Sequence, residues 1–183
     1  MYRWRYIRQV SLYSFLRRKN RSIYSNAKYV FRGGRQSLQI ELSILGEICG
    51  GCPYHEFPYK AQSPIIIEGK RDVITFACKK DVWDVVDLLI EEVHENNKKG
   101  KEFDVSQSVN AQLPFFTCRN HLLDNDIQRD INRYMYCSEF NVPPFKGEYG
   151  QQPSLWTQKT FIIKQALAKR EKNTIDKAKK DKK

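Results

Sequence analysis

The sequence predicts an α+β fold: a small, mostly antiparallel sheet of three or so strands with one packed acidic helix, then a two-helix C-terminal segment and basic tails. Three observations carry this. Residues 37–46 alternate apolar and polar side chains, the period of a half-buried strand. Residues 64–68 and 73–78 are β-branched runs on either side of Gly69-Lys70-Arg71-Asp72, the pattern of a hairpin. From Asp81, an acidic cap, the apolar residues Val82, Val85, Val86, Leu89 and Val93 recur at helical spacing up to about residue 95.

In chain order, residues 1–35 form a basic arm. They carry Arg, Ser and aromatic residues without a carboxylate, the composition of a mitochondrial targeting segment, and lack the apolar core of a secretory signal. The alternative reading of the same stretch is an arm retained on the protein for RNA or another subunit. Arg3, Arg5, Arg8, Arg17, Arg18, Lys19 and Arg21 would neutralise phosphates while Tyr2, Trp4 and Tyr6 stack on bases. The α+β core is expected over 36–95, where Leu38, Ile40, Leu42 and Ile44 make the first strand and the hairpin and acidic helix follow. Asp84, Asp87, Glu91 and Glu92 are read as the solvated face of that helix.

Residues 96–168 start as a polar linker and continue into a helix over about 120–137. The proline- and glycine-rich loop 141–153 comes next, then a helix capped by Ser154. The end, 169–183, reads as a disordered basic tail. No apolar run approaches the ~20 residues of a membrane-spanning helix, so no integral membrane segment is expected.

Chemistry is sparse. Cys49-Gly50-Gly51-Cys52 has the spacing at which two thiolates reach one zinc ion, and Cys118-x-x-His121 repeats it. A structural Zn²⁺ held by Cys49, Cys52, Cys118 and His121 would need the two knuckles to meet by tertiary folding, with Cys78 and His55 as substitute ligands. Without that meeting, the pair is a turn with inert thiols leaving the first strand. A thiol-redox reading of the same pair needs a helix directly after it, which Gly50, Gly51 and Pro58 disfavour. The five cysteines lack the spacing of a secreted disulfide framework. No phosphate-binding glycine motif and no catalytic triad is proposed by the spacing of the remaining residues.

Charge distribution directs the functional reading. The chain has 32 Lys and Arg against 21 Asp and Glu. Residues 1–40 hold ten basic and no acidic residues, residues 151–183 hold ten basic and three acidic, and residues 41–150 hold 12 basic and 18 acidic. An acidic body with basic ends predicts a non-catalytic structural subunit of a large mitochondrial assembly. The first such assembly to consider is the ribosome, with rRNA contacted through the termini and protein subunits through the body. The alternative is an accessory subunit of a respiratory-chain or ATP-synthase complex, since loss of residues 1–35 would leave 22 basic and 21 acidic residues. Beyond these, the segment CSEFNVPPFKGEYGQQPSLW, 137–156, resembles short proline–glycine–glutamine segments of small tailed-phage proteins. That resemblance implies a viral assembly protein and assigns no single residue.

Overall fold

A computed structural model describes residues 31–46, 49–66 and 70–181, with side chains from Gly34 onward. Among the described residues the chain forms five α-helices and one two-stranded antiparallel sheet, so it is broadly α+β. The helices are α1 (Phe31–Leu45), α2 (Lys79–Lys98), α3 (Val105–Asn110), α4 (Asn125–Phe140) and α5 (Ser154–Lys180), and the strands are β1 (Tyr59–Gln62) and β2 (Val73–Phe76). The backbone folds as two compact units. One contains Cys52–His121; the other contains Arg32–Gly51 and Leu122–Lys183.

The first expected strand is a helix. Leu38, Ile40, Leu42 and Ile44 alternate perfectly, yet they lie in α1. Successive helical residues turn by about 100°, so positions two apart fall on nearly opposite sides and positions four apart on the same side. Leu38 and Leu42 therefore share one side, and Ile40 and Ile44 the other. All four are buried. A helix buried on two opposite faces writes the same two-residue period as a half-buried strand.

In the first unit, β1 pairs with β2 in the register Tyr59↔Phe76, Lys60↔Thr75, Ala61↔Ile74 and Gln62↔Val73. The second strand lies where the sequence puts it. The first lies upstream of the expected 64–68, because Pro64 has no N–H to give a ladder. Ser63 closes the hairpin by donating its N–H to Asp72 O at 2.8 Å, and its hydroxyl accepts from Ile65 N at 3.1 Å. Tyr59, Ala61, Ile74 and Phe76 face the core.

Helix α2 begins just after Cys78. Asp81, at its third position, accepts from the N–H groups of Ala77 and Cys78 at 2.8 and 3.2 Å, which satisfies donors that the first turn cannot. The expectation of a solvated acidic face is overturned. Residues 82–91 are buried without a break, including Asp84, Asp87 and Glu91, and only Glu92 of the four acids is exposed. Asp84 is paired with Lys80 Nζ at 2.8 Å, which raises the Lys80 pKa above its ordinary value chiefly through that hydrogen bond. A buried carboxylate is tolerable when it is paired and hydrogen-bonded, so an acidic face does not by itself mean a wet one. The linker after α2 is ordered as a bridge, with Asn97 accepting from Phe103 N at 2.8 Å and donating to Phe103 O at 2.9 Å. Asp104 then caps α3 by accepting from Gln107 N at 2.7 Å.

The second unit is helical. Ile40 and Ile44 of α1, Ile127 and Ile131 of α4, and Ile163 and Ala166 of α5 form its core. Lys169–Glu41 and Lys159–Asp130 ion pairs flank it. Helix α4 starts later than the sequence suggests, at Asn125, because Asp124 is the residue whose carboxylate accepts from Asp126 N. The cap of α5 is Pro153 and not Ser154, which is the first helical residue. Residues 169–180, read as a disordered tail, continue α5 to Lys180, and 171–181 are exposed throughout. Within the described residues no helix is long and apolar enough to cross a membrane.

Candidate metal centre

The turn between Cys49 and Cys52 depends on Gly51, whose φ of +90° lies in the left-handed region that side-chain-bearing residues rarely adopt. The chain then runs without helix through Pro53, Tyr54 and His55 into β1. The redox geometry, a dithiol at a helix N-terminus, is therefore not formed at this pair.

Cys118 sits between the one-turn 3-10 helices Leu113–Phe115 and Arg119–His121 and is buried. Its position is set by neighbours on both sides. Thr117 donates its N–H to Leu113 O at 2.9 Å and receives the Tyr59 hydroxyl on Oγ1 at 3.0 Å. His121 donates its backbone N–H to Cys118 O at 3.1 Å.

Cys49, Cys52, His55 and Cys118 bring one donor atom each into a group in which all four lie within 4.8 Å of one another. Cys52 Sγ and His55 Nε2 are 3.8 Å apart, which matches the edge of about 3.8 Å for a tetrahedron built on Zn–S bonds of ~2.3 Å. The widest separation exceeds that edge by about 1 Å, within reach of small side-chain rotations. Cys118 is buried, Cys49 and Cys52 are partly so, and His55 is exposed. Three thiols and an imidazole are a donor set able to bind a metal ion, and soft thiolates disfavour hard cations such as Mg²⁺ or Ca²⁺.

Three of the four ligands expected from sequence, Cys49, Cys52 and Cys118, are thus gathered. The fourth, His121, is not in the group; its Nε2 instead faces Tyr54 O at 2.7 Å. His55 takes that place. The signal was present, because Cys52-x-x-His55 has the same spacing as Cys118-x-x-His121. Cys78, the other substitute, is exposed at the start of α2 and outside the group. Arg3, Arg5, Arg8, Arg17, Arg18, Lys19 and Arg21, expected to meet RNA, lie outside the described residues.

Around the group is an aromatic shell within the first unit. Tyr59 stacks with Phe57 and Phe76 at ring-centroid distances of 5.4 and 5.2 Å, and Tyr54 tilts against it at 5.2 Å. The Tyr54 hydroxyl donates to Phe115 O at 3.3 Å. Burial pushes the Tyr59 phenol up to about 12, partly offset by its hydrogen bond to Thr117. No family model, curated protein or solved structure matches the chain.

Proposed function

We propose that this chain is a non-catalytic structural subunit of a large mitochondrial assembly, the ribosome, whose fold is fastened by a Zn²⁺ held by Cys49, Cys52, His55 and Cys118. The observation that carries this reading is the ligand set itself. Four protein donors gathered from residues as far apart as Cys49 and Cys118 would complete a tetrahedron and leave no position for a substrate, which is the arrangement of structural and not catalytic zinc. The largely buried Cys118 and the partly exposed C-x-x-C fit an ion that ties a loop onto a core. The groove beside α2, lined by Ile65, Arg71, Glu92, Asn96, Phe103 and Gln112 among others, contributes neither cysteine nor histidine.

The assembly is argued from charge. Basic ends on an acidic body suit a protein whose ends follow a phosphate backbone while its body meets other proteins. The exposed 171–180 stretch of α5, carrying Lys172, Lys177, Lys179 and Lys180, belongs to the basic C-terminal end. An accessory role in a respiratory-chain or ATP-synthase complex is the second reading, favoured by the near balance of charge in residues 36–183.

Two measurements test the proposal. Elemental analysis of the purified chain is expected to give one zinc per molecule, lost in C49S and C118S; a metal-free protein would end the zinc reading. Sedimentation from mitochondrial lysate is expected to place the chain with ribosomal particles and to release it with RNase. Particle association that RNase leaves intact would favour the accessory-subunit reading.

A further inference from the structure

We infer that His121 is the positioning residue of the metal centre, acting through the Tyr54 carbonyl to aim His55 without touching the ion. The inference rests on reading the Cys49, Cys52, His55 and Cys118 group as a metal site. His121 Nε2 lies 2.7 Å from Tyr54 O. A carbonyl oxygen only accepts, so the proton in this contact sits on Nε2 and the imidazole donates. The carbonyl belongs to the peptide that joins Tyr54 to His55. Fixing the plane of that peptide fixes N and Cα of His55 and leaves φ as the one backbone dihedral that turns its side chain.

The other contacts of His121 make it a rigid strut. Its ring packs on Phe57 with centroids 4.4 Å apart and lies parallel to Tyr59 at 6.2 Å. Its backbone N–H is committed to Cys118 O at 3.1 Å. One residue therefore joins the turn that presents Cys118 to the loop that presents Cys52 and His55. His55 itself is exposed. Outer-shell groups of this kind set metal affinity by orienting ligands that they do not replace.

Cobalt(II) titration of the full chain tests this, because Co²⁺ in a tetrahedral site reports the donor set through its visible absorption. The unaltered chain and H121Q, whose amide can still donate to Tyr54 O, are expected to bind with the same band positions and similar affinity. H121A and H121F, the latter keeping a ring against Phe57 without a donor, are expected to keep those bands while binding roughly 10–100-fold more weakly. H55A is expected to shift the bands, since a nitrogen donor is gone. If H121F binds as tightly as the unaltered chain, or if H121A and H121Q shift the bands as H55A does, the positioning role is wrong. Should the unaltered chain bind no Co²⁺, the metal site falls and this inference with it.

Discussion

The phenol of Tyr59 donates to Thr117 Oγ1 in a site from which most water is excluded, and burial pushes its pKa up to about 12. A raised acid pKa means that the neutral form is favoured in the folded state. The associated stability is fully present below the unfolded tyrosine value of ~10 and is lost as pH rises toward 12. We expect denaturant unfolding of the unaltered chain to lose roughly 2–3 kcal/mol between pH 10 and 12 that Y59F does not lose. At pH 7, Y59F is expected to be about 1 kcal/mol less stable, for want of the hydrogen bond. Equal pH dependence in the two proteins would show that the phenol is not held as described. At this scale the cysteines of the candidate site were legible, because zinc knuckles announce themselves by spacing. Choosing His55 over His121 was not, since both stand three residues beyond a cysteine. The choice was made by Tyr54 O, an acceptor that appears in no sequence pattern.

Helix α1 shows where element-scale reading fails and why. Side-chain period separates helix from strand only when one face is buried. With Leu38 and Leu42 buried on one side and Ile40 and Ile44 on the other, the strand and helix patterns coincide. Helix α2 was legible as a helix because its apolar residues were numerous and Asp81 stood at a capping position. The burial of its acids was not, because burial depends on what packs there and not on the helix. Ser43 supplies a test of α1. Its Oγ is buried with no hydrogen-bond partner among the described residues. In a helix, S43A removes that cost and gains about 0.5 kcal/mol of propensity, for a net stabilisation of roughly 1 kcal/mol. In a strand, alanine is disfavoured and the same change would destabilise. The sign of the shift in urea midpoint therefore decides between the two.

At the scale of the whole molecule, charge and stability are divided between different parts of the chain. The buried residues of α5 are Trp156, Ile163 and Ala166, all in its first half, and Lys169 pairs with Glu41 of α1. Residues 171–183 add six Lys against Glu171, Asp176 and Asp181, with 171–181 exposed. Removing residues 171–183 should therefore leave the cooperative unfolding transition within about 0.5 kcal/mol of the full chain, as expected for surface changes. On the ribosomal reading, its effect on RNA binding should be much larger. Each phosphate contact contributes about 0.7 to the slope of log affinity against log salt for a single strand. Loss of up to six cationic contacts would flatten that slope by as much as ~4. Affinity measured at several salt concentrations, on a ribosomal RNA fragment, separates this from general weakening. A truncated chain with an unchanged slope would mean that the C-terminal charges do not meet phosphate, and the ribosomal reading would then depend on the N-terminal arm alone.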